Sequence, residues 1–357
     1  MPRAHAGGRG YGRRVDERPT WKQRLRPFVK PALIVAVSVA VGWIVINLVG
    51  SIDWSQVAAA LGRLSWWSIP VLLVALLLRQ TFNAVPLTRF VPGLRLGRSI
   101  QNDTTANLIG TVAPPPADVV LRVAMFKSWG LDPVDGMAGV TLNMLTFYVV
   151  RFIAPVIGLV VLIRRELDSG QVVAAVLSAL VAVGCLVALV LLSRGDRFAR
   201  ILGLTAGRVA ARFRSSIEPE RWADAVVEFR GRMSQTLIRG LPVALTALVL
   251  MVLSDALVLL LSMRMVGVGA DVLPTADLVG GHLIAYPLTL MPLQGFGVMD
   301  AALVAGYTDV AGIEWEPEIL AGLVVWRVVT ILGPLTMGAL ALLWWRRHAG
   351  KDAGEVV

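Results

Sequence analysis

The chain has 357 residues, of which 56% are hydrophobic and 16% charged, with a formal net charge of +10. Together with a mean hydropathy of +0.70, this excludes an ordinary soluble globule and indicates an integral membrane protein. The positive charge gathers at the N-terminus and in one internal stretch, with no C-x-x-C, RNP-like or helix-turn-helix pattern beside it. It therefore speaks for loop orientation or anionic lipid and against a nucleic-acid module.

Residues 1–28 are polar and rich in Gly and Arg, which predicts a disordered cytoplasmic tail. Val29 to Gly50 is the first expected span, about 33 Å long at a helical rise. Its apolar core is too long for a signal peptide and no small-residue cleavage pattern follows it. Asp53 to Leu64 has the spacing of a short amphipathic helix on the far interface, with Trp66 and Trp67 at headgroup level. Residues 67–91 cross back, carrying Arg79 and Asn83; Arg79 could snorkel or pair, and structural pairing is expected over substrate contact.

Residues 97–130 are too polar and too broken to span. Pro114, Pro115 and Pro116 forbid a continuous helix, since each lacks an amide donor and crowds the preceding turn. The expectation is a hairpin that enters from the cytoplasm and returns; a cytoplasmic helix-loop-helix lying on the membrane fits the low hydropathy too. After the prolines, Asp118 and Arg122 stand four residues apart and would share a helix face. Further spans follow at 137–163, with Asn143 and Arg151 inside, and at 171–192, which holds Cys185, the single cysteine. The stretch 194–239 has ten arginines against five acids, which places it in the cytoplasm as amphipathic helices on anionic lipid.

Residues 240–266 cross outward with Asp255 embedded. Residues 278–312 are again broken, by Pro287, Pro292, Gly295 and Gly297, and the last span is 319–345, with Arg327 inside. Residues 349–357 form a short cytoplasmic tail, the membrane domain running over 29–348. The expected fold is an all-α polytopic membrane protein with six spans and two broken hairpins, eight helical elements in all. Because the hairpins enter from opposite sides, the layout is that of an inverted-topology repeat. Asp118 precedes Gly130 by twelve residues, as Asp300 precedes Gly312.

At these two breaks the sequence resembles the lysylphosphatidylglycerol synthase transmembrane-region family, a flippase-like domain found alone or fused to a soluble aminoacyl-transfer domain. The family's first motif combines proline, glycine, an acid and an arginine; here PPADVVLR has Asp118 in the acid's place and Arg122 in the arginine's. Its second is a proline and glycine turn ending in an acid; PLQGFGVMD keeps Pro292, Gly295, Gly297 and Asp300. The likeness covers about residues 30 to 345. Both acids are Asp where the family more often has Glu, and the first motif has Pro116 and Ala117 where glycines would allow close backbone approach.

The resemblance implies a stand-alone member that moves a phospholipid or polyprenyl-linked glycolipid between leaflets of a prokaryotic plasma membrane. Arg122 is the expected phosphate contact, because guanidinium offers a bidentate fork, with Asp118 holding it. Asp300 would meet a cationic or hydroxylated headgroup or take up a proton, and Arg327 and Asp255 would be partners across the cavity. Pro114, Pro115, Pro116, Pro292, Gly295 and Gly297 would shape the hairpins. No cofactor, metal ligand set or catalytic residue is expected, as no DD, HExxH or GxSxG pattern occurs. Expected partners are anionic membrane lipids. A role as non-catalytic partner of an envelope lipid or glycan biosynthetic enzyme is the alternative, and an intramembrane transferase is a third reading.

Overall fold

Long apolar runs that cannot hydrogen-bond to lipid must satisfy their backbone within each segment, which favours helix. The computed structural model describes residues 54–114, 116–163, 169–194, 196–213 and 218–352, and all regular structure among them is helical. They belong to one compact unit, Ile52–Val357. The tail 1–28, the expected span from Val29 to Gly50, and Pro115 lie outside the described residues.

The first half contains α1 (Trp54–Gly62), α2 (Ser68–Phe90), α3 (Leu96–Val112), α4 (Ala117–Ser128), α5 (Pro133–Val161) and α6 (Ser169–Arg194). The second contains α7 (Asp196–Phe213), α8 (Pro219–Met265), α9 (Thr275–Ala285), α10 (Val298–Ala311), α11 (Glu316–Arg327) and α12 (Gly333–Asp352). Among the described residues, four segments are long and apolar enough to cross a membrane: Ser68–Phe90, Pro133–Val161, Arg239–Met265 and Ile313–His348. The chain is a multi-pass membrane protein. On α2 the outward residues Leu73, Val74, Leu77 and Leu78 are exposed while Leu72, Ala75 and Leu76 are buried, so one face meets lipid and the other meets α8.

One helix differs from the expected layout. α8 has 47 residues, about 70 Å at 1.5 Å per residue, more than twice the roughly 30 Å of bilayer hydrocarbon. The arginine-rich stretch is therefore not a loop leading to a span: its second part is continuous with that span. Pro219 occupies the first turn, where a missing amide costs nothing, and α7 folds back along this extension, with Gly203 and Gly207 against Ala223 and Pro219.

Most polar residues in the first three turns of α3 point inward. Ser99, Gln101, Asn102, Thr104 and Thr105 are all buried. Ser99 Oγ donates to the Ala84 carbonyl at 2.7 Å and Gln101 Nε2 to the Ala341 carbonyl at 3.0 Å, tying α3 to α2 and α12. A Cβ on Gly338 would stand 2.3 Å from the Thr104 carbonyl oxygen, so α12 approaches α3 at a distance only glycine permits. The helix ends at Val112, with Ala113 extended at φ −124, ψ 150, the conformation a following proline imposes. α4 then returns alongside α3, fastened at its far end by Trp345 Nε1 donating to Ser128 Oγ at 2.9 Å.

The second break is longer. α9 passes into a 3₁₀ segment, Tyr286–Leu290, and one helical turn, Pro292–Gly295, before α10. Gln294, Gly295 and Gly297 have φ of 57, 74 and 84. At Gly295 a side chain is barred twice, by this left-handed backbone and by the Leu288 carbonyl oxygen, 2.5 Å from an added Cβ. The last span is interrupted by a π-helical turn, Val328–Leu332. Pro334 has no amide to give to Thr330 one turn earlier, and the backbone widens there, as at other π-bulges.

Candidate functional site

The interrupted helices end around a common space. A cavity of about 250 Å³ is lined by Arg79 of α2, Arg122 of α4, Arg151 of α5 and Arg327 of α11, together with the carboxylates of Asp103 on α3 and Asp255 on α8. Asn83, Asn107, Thr289, Gln294 and Thr330 add neutral polar groups. A charge at the centre of a membrane helix costs about 2.5–3.5 kcal/mol on insertion scales, so four arginines in one cavity need compensation.

Three of them have it. Arg79 Nε donates to Asp255 Oδ1 at 2.6 Å, joining α2 to α8. Asp255 is almost fully buried, and its other oxygen lies 3.3 Å from Nε2 of the buried His282, within ion-pair distance although not aligned as a hydrogen bond. Arg122 Nη1 donates to Asp103 Oδ1 at 2.9 Å and also bonds the Asn102 side-chain oxygen, closing the α3–α4 pair. Arg327 Nε donates to Asp300 Oδ1 at 2.8 Å and its Nη1 to the Gln294 carbonyl at 3.2 Å. The second oxygen of Asp300 accepts the Gly297 amide at 2.8 Å, so one carboxylate caps α10 and holds the cavity arginine.

Arg151 is different. Its guanidinium lies 4.5 Å from the centre of the Phe147 ring and 5.7 Å from that of Tyr148, and its buried Nε has no acceptor among the described residues. Nη2 of Arg327 and Oδ2 of Asp103 are likewise buried without partners. Among the described residues, four guanidinium charges against the carboxylates of Asp103, Asp255 and Asp300 leave one positive charge over. Arg327 is further steadied by the Trp326 ring, whose centre is 4.3 Å away, and by Phe296 at 6.0 Å.

Of the residues singled out from sequence, Arg122, Arg327 and Asp255 line the cavity, and Asp300 stands directly behind Arg327. Asp118 does not line it. It lies half-buried in the first turn of α4, where a carboxylate favours the helix dipole, and Arg122 turns across the hairpin to Asp103 instead. The i,i+4 spacing offered that pair, but a carboxylate on the adjacent helix offers one without bending back toward the exposed end. Arg79 takes a buried acid as its partner. Pro114, Pro116 and Gly297 flank the ends of α3, α4 and α10, and Pro292 opens the turn that Gly295 closes. Asp103, Asn102 and Gln294 were not singled out. Asp103 was legible only as one acid in the polar run QNDTT, and Gln294 as part of a glycine turn.

The sequence model described as lysylphosphatidylglycerol synthase TM region matches residues 32–338 of the chain. No curated protein matches it.

Proposed function

The chain belongs to the lysylphosphatidylglycerol synthase TM-region family, and from that premise we propose that it moves a phospholipid or polyprenyl-linked glycolipid between membrane leaflets. The observation that carries this reading is a polar, arginine-lined cavity enclosed by helices whose outer faces are apolar. A headgroup needs a polar path while its tails stay in lipid, and broken helices at membrane depth are tolerated where they line such a cavity.

In this reading the stretch Val29 to Gly50 and α6, 26 residues long, join the four apolar segments as six spans. The pairs α3–α4 and α9–α10 are hairpins entering from opposite sides. Both termini lie in the cytoplasm of a prokaryotic cell, where the exposed arginines of α7 meet anionic lipid. Arg122 and Arg327 contact the phosphate, Asp103 and Asp300 orient them, and Asp255 holds Arg79. The role is transport without catalysis.

The test is leaflet exchange of a fluorescent anionic phospholipid in liposomes holding the purified full chain. Transport predicts exchange faster than in protein-free liposomes and at least tenfold slower with Arg122→Ala or Arg327→Ala, an effect of the size expected for one lost charge-assisted contact. Exchange equal to that of empty liposomes would sink the reading. It would favour instead a partner of an envelope enzyme docking on the α7 surface, whose Arg197, Arg200 and Arg208 are exposed.

A further inference from the structure

We propose that the cavity selects a lipid headgroup carrying one net negative charge, held on Arg151, while its chain leaves through an opening between Asn107 and Gln294. This rests on the lipid-transport reading for the source of the anion, and not for the existence of the site. Three cavity arginines each have a carboxylate, and Arg151 has only rings beside it and a buried Nε without an acceptor among the described residues. A guanidinium inside a membrane protein is stable when its charge is matched. One anion matches it: a phosphodiester brings the cavity to neutrality, a zwitterion leaves the charge in place, and a dianion overshoots.

The volume sets a second limit. About 250 Å³ lies below the usual range of roughly 300–1,000 Å³ for small-molecule pockets, so there is room for a headgroup and none for acyl or isoprenoid chains. A second cavity of about 510 Å³ adjoins the first, sharing Asn107 and Gln294 with it, and is walled by Phe296, Ile331 and Leu335. Phe296 is half exposed and also lies against Arg327. The apolar wall continues where the polar one stops, and Asn107 and Gln294 mark the point at which a phosphodiester's charged end gives way to its chain. Gln294, whose backbone is left-handed, lines both cavities. A free inorganic anion would satisfy Arg151 but would leave the second cavity unused.

The experiment is equilibrium titration of the purified full chain in detergent with four probes: dihexanoyl phosphatidylglycerol, dihexanoyl phosphatidylcholine, glycerophosphoglycerol and inorganic phosphate. The monoanionic lipid should bind about ten- to a hundredfold more tightly than the zwitterionic one, the range for one charge-assisted contact. The two tail-less anions should bind at least tenfold more weakly than that lipid. Arg151→Gln should erase the preference between the two lipids, and Arg151→Lys should restore most of it. Equal binding of the two lipids to the natural chain, or an undiminished preference in Arg151→Gln, overturns the assignment of the charge. Tail-less anions binding as tightly as lipid overturns the path for the chain. If Arg151→Gln does not fold, the probe series on the natural chain and on Arg151→Lys still decides. Preserved lipid preference in a protein that exchanges no lipid between leaflets would remove the transport reading and leave this site standing.

Discussion

Replacing Asp300 with alanine removes two interactions that meet in one carboxylate. Arg327, whose side chain is 7% exposed and which is held at 2.8 Å, is left as an uncompensated buried charge, at a cost of about 3–5 kcal/mol. The Gly297 amide at the start of α10 loses its acceptor, a cap worth about 0.5–2 kcal/mol. The expected loss is therefore about 3.5–7 kcal/mol. Asp300→Asn can still accept the Gly297 amide, so it should lose only the charge part, about 3–5 kcal/mol. The double substitution Asp300→Leu with Arg327→Met removes both charges, and apolar replacement of a buried ion pair is often neutral or stabilising. It should recover most of the stability while abolishing lipid exchange. Equilibrium unfolding in mixed micelles measures the first set and the liposome assay the second. A loss below about 1 kcal/mol for Asp300→Ala, or a double variant no more stable than the single one, would refute the claim that Arg327 depends on this carboxylate.

Asp118→Ala should cost only about 0.3–1 kcal/mol, the value of a helix-dipole contact, and leave exchange near the natural rate, whereas Asp103→Ala should match Arg122→Ala in the same assay. Gly295→Ala should destabilise by at least 1–2 kcal/mol from the left-handed backbone alone, with more from the Leu288 carbonyl, measured by thermal unfolding in detergent. Trp345→Phe, which gives up the bond to Ser128, should cost about 0.5–1.5 kcal/mol in the same measurement, without changing headgroup preference.

Segments with a single strong signal were legible from sequence. The run 67–91 became Ser68–Phe90, and the prolines at 114–116 mark a break because no helix carries three of them. What could not be read was anything decided between segments. Asp118 and Arg122 satisfied a periodicity rule, yet the choice between Asp118 and Asp103 depends on α4 packing back on α3, which no spacing within α4 encodes. The length of α8 was hidden for a similar reason. Charge density and spacing at 194–239 predict amphipathic helices, but they do not say that the second of them runs unbroken into the next span, and Pro219 marks the start of that long helix only once the helix is known. Arg151 looked like other intramembrane arginines, because lacking a carboxylate partner is a property of its surroundings and not of its neighbours in sequence.

The three ion pairs would have a mechanical consequence for the proposed transport. Each joins different elements: Arg79 and Asp255 link α2 to α8, Arg122 and Asp103 link α4 to α3, and Arg327 and Asp300 link α11 to α10. Two of these pairs lie within the broken regions. A rearrangement that moved α3 and α4 as one body, or α10 and α11 as one body, would carry its pair intact and avoid the roughly 3–5 kcal/mol of separating buried charges. Pulling α2 from α8 would separate the Arg79 pair outright, and these two helices pack along most of their shared length. In the transport reading proposed above, alternating access would be cheapest with α2 and α8 fixed and the two broken units rocking against them, each keeping its own arginine neutralised. Arg151, on α5, has no carboxylate of its own among the described residues, so in that reading a headgroup would neutralise its charge without breaking a protein ion pair.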